Sequence, residues 1–388
     1  MSDVKLVGRE RVWLKAFLFL AVLILGAGGT IGTILPPDPF AASEGVPAFG
    51  HVFVPIGENV EITQLNASNA PYIIGTIKPE SAWLTGYFAV AHPSQPNYVA
   101  MTSGTYTSCG DADPSAACDL NVNNLFQQLD ATGVSWKTWA ESMPLACSLG
   151  NAGAESSLNV YYVRHNPAVY YTYLVTGGTT PTSECTSNVI PAGTTGPNDI
   201  SVFNAALSSG NVPRFNYVVP NGCEDGHDGD CPTNGGNRIT NFDSFLSREI
   251  PLIRSSSAYG SDGVIFITYD EGTTGRGVGG DVMFAVISPL VEVNQYGGWF
   301  DHYGFLRTME DGFGVSGYLG NATTATPINM IWKSTSITGT TTTTTSSSPS
   351  ITFAGTTIAE LITAIAAASV FLFAVSILRR RARVRQSE

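Results

Sequence analysis

The chain reads as an α/β protein with a mostly parallel central sheet flanked by helices, and three observations point there. Short, almost wholly apolar runs alternate with stretches of helical character, as in sheets buried on both faces. Several of these runs stop abruptly at clusters of carboxylates, imidazoles and carboxamides, the place where parallel sheets gather ligands. No internal repeat competes with one large globular part over residues 48–335.

Taken in order, His51-Val52-Phe53-Val54-Pro55-Ile56 is the first buried-strand run, and Gly57-Glu58-Asn59 follow it. Tyr87-Phe88-Ala89-Val90-Ala91 leads into His92-Pro93-Ser94-Gln95-Pro96-Asn97-Tyr98. There a hydroxyl lies between two prolines, which fix φ and remove donors, so the segment reads as a rigid turn into a helix start. Such a turn holds Ser94 Oγ still and points backbone N–H groups at an anion. The plain alternative is an ordinary proline-braced turn. A helix is expected over residues 124–132. A strand over residues 215–219 runs into Pro220-Asn221-Gly222-Cys223-Glu224-Asp225-Gly226-His227-Asp228. A second helix over residues 240–250 is expected to stop at Pro251. Strands over residues 263–269 and 282–287 complete the pattern; Asp270-Glu271-Gly272 ends the first, and Asp301-His302-Tyr303-Gly304 stands further on.

Both ends read as membrane segments. Residues 16–35 are apolar behind a basic leader, residues 1–15, holding Lys5, Arg9, Arg11 and Lys15. Residues 351–378 are apolar again and precede a tail, residues 379–388, with five arginines. Each stretch is long enough for a spanning helix, and the flanking charge puts both termini in the cytoplasm. A cleaved signal peptide is the alternative for the first. Residues 336–350 are mostly Thr and Ser and read as an extended stalk. The globular part would then lie outside the cell. Its six cysteines form three neighbouring pairs, Cys109 and Cys118, Cys147 and Cys185, Cys223 and Cys231. In that compartment they read as disulfides, and sequential pairing is preferred among the 15 connectivities six cysteines allow. Asn66-Ala67-Ser68 and Asn321-Ala322-Thr323 are glycosylation acceptor patterns. The net charge is −12, and nine of the 19 basic residues lie at the two ends, so the globular part is strongly acidic. Nucleic-acid binding through a basic surface is disfavoured, whereas a phosphate substrate remains compatible if metal ions supply positive charge.

Carboxylates, imidazoles and a hydroxyl converging on one sheet edge suit one or two hard-to-borderline divalent cations. Such ions relieve repulsion among Glu58, Asp225, Asp228, Asp270 and Glu271. Of five histidines, His227 and His302 fall in these clusters, His92 opens the proline turn, His165 lies in Arg164-His165-Asn166-Pro167, and His51 reads as structural. The ordered motifs Glu58-Asn59, Ala70 to Ile73, His92 to Tyr98, His165 to Pro167, Asp225 to Asp228, Tyr269 to Gly272 and His302 to Asp311 resemble the phosphoesterase family. That family holds secreted acid phosphatases and bacterial phospholipases C, within the alkaline phosphatase superfamily.

The resemblance implies an alkaline-phosphatase-like α/β sandwich and metal-assisted hydrolysis of phosphate esters. It places Glu58, Asn59, Asp270 and Glu271 at metal-side positions, Ser94 as nucleophile and Asn97 as a phosphate-oxygen donor. His227, Asp228 and His302 match a second cluster, as a further metal site or as acid and phosphate-binding groups. His92 joins the catalytic set and His165 the substrate-binding set. Two departures stand out: Gly57 replaces the usual Met before Glu-Asn, and the expected Ser or Tyr is missing from Val60-Glu61-Ile62. The implied function is a membrane-anchored acid-phosphatase-type phosphoesterase acting through a phosphoseryl intermediate, its partners a small phosphate ester and the lipid bilayer. A phospholipase C-type phosphodiesterase is the neighbouring reading. A non-catalytic surface structural or adhesion protein is the reading from another class.

Overall fold

The computed structural model describes residues 44–229, 231 and 237–333, together with Thr352–Phe353 and Thr356–Thr357. The chain divides into two units, Met1–Lys333 and Ser334–Glu388. In the first, the main sheet has eight strands: β1 Val52–Gly57, β2 Ala82–Leu84, β3 Trp136–Ala140, β4 Val189–Pro191, β5 Phe215–Val219, β6 Val264–Tyr269, β7 Phe284–Ile287 and β8 Asn294–Tyr296. Their order is β8-β2-β7-β6-β1-β5-β3-β4. β7 runs antiparallel to β2 and β6, and every other neighbouring pair is parallel. The expected mostly parallel sheet is therefore present.

β1, β5 and β6 are buried at every position, which is why each reads as an unbroken apolar run. Pro55 sits mid-strand in β1 and has no N–H to give. Pairing with β6 lapses at residues 54–55 and resumes in the same register, Val52 opposite Val264 and Gly57 opposite Tyr269.

Five helices matter for the site: α1 Ser94–Ser103, α2 Leu125–Thr132, α3 Ser201–Ser209, α4 Arg238–Ser255 and α5 His302–Phe313. Side-chain alternation assigns them to faces. Phe53 of β1 meets Phe203 of α3, and Tyr269 of β6 meets Phe242 of α4, with Phe53 and Tyr269 on one face by register. Phe266 of β6 points to the other face and meets Phe305 of α5 edge-on at 5.6 Å. Helices thus flank the sheet on both sides. Phe266 also touches Phe49, Phe284 and Trp332. Phe266→Ala is therefore expected to destabilise the domain by about 3–5 kcal/mol, read from the midpoint of urea unfolding. A loss below about 1 kcal/mol would mean this aromatic cluster is not the packed centre.

Caps explain the helix ends. Asn124 accepts from Gln127 N–H, Asn237 from Ile239 and Thr240, and Asp301 from Tyr303 and Gly304. Gly104 closes α1 at φ 67°, where an added Cβ would lie 2.2 Å from the Leu319 carbonyl.

Some expectations need correction. Pro251 does not stop α4, which runs to Ser255, because Ile253 beyond it is buried and anchors the last turn. The final strand of the pattern starts at Phe284, not residue 282; Val282 makes only an isolated bridge to Glu61. β2, β3, β4 and β8 went unanticipated, being short or carrying polar residues. The three disulfides pair sequentially, Cys109–Cys118, Cys147–Cys185 and Cys223–Cys231, as preferred.

The leader, the apolar segment 16–35, the stalk 336–350 and the tail 379–388 lie outside the described residues. In the second unit, Thr352–Phe353 pairs antiparallel with Thr356–Thr357, where the sequence suggested the start of a helix. The rest of 351–378 is outside the described residues. Among those described, no helix is long and apolar enough to cross a membrane.

Candidate active site

β6, β1 and β5 are parallel neighbours, so the residues that follow them arrive at one edge of the sheet. Glu58 follows β1, Asp225, His227 and Asp228 follow β5, and Asp270 and Glu271 follow β6. Helix α1 begins at Ser94 and is buried along its whole length, which carries the hydroxyl to the same edge. His165 arrives from a 3₁₀ turn, Val163–His165.

Glu58 is the hub and is fully buried. Its Oε2 accepts from Ser94 Oγ at 2.9 Å and from Asn59 Nδ2 at 2.9 Å, and its Oε1 accepts from Tyr98 OH at 2.6 Å. His165 Nε2 lies 3.3 Å from the same Oε1. Asn59 adopts φ 59°, a left-handed conformation Asn tolerates, which lets its N–H reach Asp270 Oδ1 at 3.0 Å. The Ser94 hydroxyl also lowers the Asp270 carboxyl, so it sits close to both acids.

Burial, then Asp270 and Asp225, push the Glu58 carboxyl well above its usual range. Burial raises Asp270 to about 6, against the Asn59 N–H that it accepts and the nearby Ser94 hydroxyl. Glu271 rises to about 9 through burial, Asp270 and Asp111. Its Oε2 lies 2.7 Å from His92 Nδ1, so this pair holds a proton between its two atoms. Burial, His227 and Arg164 push His165 well below the usual imidazole range, so it is neutral. Its Nδ1 donates to Asp225 Oδ2 at 2.8 Å, which leaves Nε2 a lone pair facing Glu58.

That arrangement is a test of fit for a metal ion. His165 Nε2 and Asp270 Oδ2 are buried without a hydrogen-bond partner, and Glu58, His165 and His227 present ligand atoms within 4.8 Å of one another. Lone pairs facing lone pairs are unfavourable unless a cation joins them, so the residues fit one. Oxygen donors with neutral imidazole suit a borderline divalent ion, and Asp225 orients His165 as carboxylates do beside metal ligands. The second acidic group, Cys223, Asp228 and Cys231, is no site, because its cysteines are joined in a disulfide.

The structure reassigns three residues. His302 is fully buried; its Nδ1 accepts from Tyr87 OH at 2.9 Å and its Nε2 donates to the Asp270 carbonyl at 2.6 Å. Both nitrogens are engaged and burial lowers its pKa to about 4, so in this structure His302 positions Asp270. Asn97 is a staple: its Oδ1 accepts from Val90 and Ala91 N–H, and its Nδ2 donates to the Ala91 carbonyl, each at 3.0 Å. It shapes the turn before Ser94, and its second Nδ2 hydrogen is shared at 3.4 Å between the Pro93 carbonyl and Glu271 Oε2 at the site. Asp228 is occupied by Tyr162 OH at 2.9 Å, Ser156 N–H at 2.7 Å and His227 Nδ1 at 2.8 Å. Burial pushes its carboxyl up, but these donors win and hold it down. Asp228 therefore orients His227, as a metal ligand would not. Glu58, Asn59, Ser94, His165, His227 and Asp270 do come together, with Glu271 and His92 beside them. Sequence reasoning assigns no role to Tyr98, Arg164 or Tyr162, although Tyr98 ends the proline-turn motif and Arg164 precedes His165.

Residues 53–316 match the Phosphoesterase family. The chain is 29% identical over 242 residues to a phosphate-repressible acid phosphatase of Penicillium chrysogenum, covering 62% of this chain and 52% of that protein. It is 24% identical over 305 residues to a phosphatidylinositol-3-phosphatase of Mycobacterium tuberculosis, covering 76% of this chain and 87% of that one. A solved protein in the alkaline phosphatase superfamily from Vibrio parahaemolyticus superposes with a TM-score of 0.49 at 12% identity, over 74% of each chain. The chain spans a little over half the length of the fungal phosphatases it matches. The matched stretch runs from β1 through α5 and takes in every residue that builds the site, and by that match the chain belongs to the Phosphoesterase family.

Proposed function

We propose that this chain is a membrane-tethered, extracytoplasmic, cation-dependent phosphoesterase that cleaves phosphate monoesters through a phosphoseryl intermediate. The observation that carries the reading is Ser94 Oγ, held 2.9 Å from a buried Glu58 among acceptors that lack donors. Glu58, Asp270 and His165 would hold the ion, with His227 and Asn59 beside them. When bound, the ion supplies positive charge for the phosphoryl oxygens and eases ionisation of the serine.

The chain's own residues do the rest. Glu58 receives the Ser94 proton as Oγ attacks phosphorus; the new Oγ–P bond forms while the ester P–O bond breaks and the alcohol departs. Solvent water gives the leaving oxygen its proton, because His227 Nε2 accepts from Arg164 and its Nδ1 is held by Asp228. Water then cleaves the Oγ–P bond, releasing phosphate and restoring the hydroxyl.

Two relatives carry phosphatase names, which supports the monoester preference. The disulfides support an oxidising compartment, and the apolar terminal segments with their basic flanks support two anchors. Purified protein is expected to release p-nitrophenol from its phosphate, to stop on chelation, and to recover with a divalent cation. Full activity in excess chelator would remove the cation from the proposal.

A further inference from the structure

We propose that Arg164 is the phosphoryl clamp of this site and selects dianionic phosphate monoesters over diesters. The inference rests on the phosphoesterase reading and deepens it. Arg164 precedes His165 in the same 3₁₀ turn, so the fold that brings the imidazole in brings the guanidinium too. Its side chain is only 13% exposed, and its guanidinium carbon lies 4.0 Å from the centre of the Tyr162 ring. One Nη donates to His227 Nε2 at 2.9 Å, and Nε lies 3.8 Å from Asp111 Oδ2 without a hydrogen bond.

Asp111 belongs to the loop closed by Cys109–Cys118, and its Oδ1 accepts from Gln95 N–H at 3.1 Å, one residue past the nucleophile. The guanidinium therefore spans from His227 to Asp111, whose other oxygen holds the Gln95 N–H beside the nucleophile.

Substrate charge makes this position decisive. Glu58, Asp225, Asp270 and Glu271 repel a phosphate dianion, and a permanent cation pinned on Tyr162 opposes that repulsion. A guanidinium fork grips two non-bridging oxygens at once. A monoester has three such oxygens and two charges. A diester has two oxygens and one charge, and its second organic group takes the place of the third oxygen.

The test compares wild type with Arg164→Gln, Arg164→Lys and Ser94→Ala. It reads kcat/KM for p-nitrophenyl phosphate and bis(p-nitrophenyl) phosphate, and the Tm shift produced by inorganic phosphate. Arg164→Gln is expected to lower monoester kcat/KM by about 100-fold and to abolish the phosphate-induced shift, with diester turnover changed less than about threefold. Arg164→Lys keeps the charge without the fork and is expected to recover about one-tenth of the wild-type value. Monoester and diester rates falling in parallel, or Arg164→Gln or Arg164→Lys retaining wild-type monoester kcat/KM, would overturn the clamp. The lysine variant decides the matter if the glutamine variant fails to fold. Ser94→Ala is expected to lose turnover yet keep the phosphate-induced shift. Should Ser94→Ala still turn over, the phosphoseryl reading fails while the phosphate-binding result for Arg164 stands on its own.

Discussion

Ser94→Ala is expected to lower kcat for p-nitrophenyl phosphate by at least about 10³-fold, because it deletes the attacking atom itself. The fold should hardly notice. Glu58 keeps Tyr98 OH at 2.6 Å and Asn59 Nδ2 at 2.9 Å, so only one of three donors is lost. A stability change within about 1 kcal/mol follows from the loss of that single bond. Tyr98 and Asn97 remain to hold the helix head and the preceding turn. Steady-state kinetics beside a urea melt separate the two effects. Activity within tenfold of wild type, in a folded variant, would move the nucleophile elsewhere.

The second large effect concerns pH and the cation together. Asp270 and Glu271 have folded-state values raised to about 6 and about 9, above their unfolded values of 3.8 and 4.5. A raised acid binds protons more tightly when folded, so its contribution is complete below the unfolded value and is lost as pH rises through the folded one. Without a cation, stability should therefore decline between about pH 4 and pH 9. His302 opposes this at the acid end. Its value falls from 6.5 to about 4 on folding, so its contribution is complete above 6.5 and is lost as pH drops towards 4. A divalent ion compensates the ionised carboxylates, so its stabilising effect should grow with pH. At a concentration near 100 times Kd the gain is about 2.7 kcal/mol, or roughly 4–5 °C in Tm for a domain of this size. Calorimetric scans at pH 5 and pH 8, with chelator and with divalent ion, check it. A larger cation effect at pH 5 than at pH 8 would contradict the placement of these carboxylates.

The parts of the fold legible in the sequence were those whose signal is local. β1, β5 and β6 are buried on both faces, so each shows as an apolar run. β3 is Trp136-Lys137-Thr138-Trp139-Ala140, and Lys137 breaks the run because it is half-exposed and bonds the Ser187 carbonyl. Its strand character comes from its partners β5 and β4, which a single window does not contain. Pro251 looked like a stop because the local rule ignores Ile253, whose burial holds the last turn of α4.

The site divides the same way. Glu58, Asp270 and Glu271 were found because they follow apolar strands, and Ser94 because two prolines frame it. Asn97, Asp228 and His302 carry the right functional groups, yet most of their hydrogen-bonding capacity goes to partners such as Val90, Tyr162 and Tyr87. Residue type announces chemistry, whereas the partners that use it up come from distant segments. His165 gained its central place the same way, through Asp225, 60 residues further along.

Elemental analysis of purified wild-type protein beside a Glu58→Gln, Asp270→Asn double variant tests the central claim most directly. We expect a stoichiometric divalent metal in the first and almost none in the second, with activity tracking metal content. A wild-type protein that hydrolyses p-nitrophenyl phosphate at full rate while holding no metal would contradict the account.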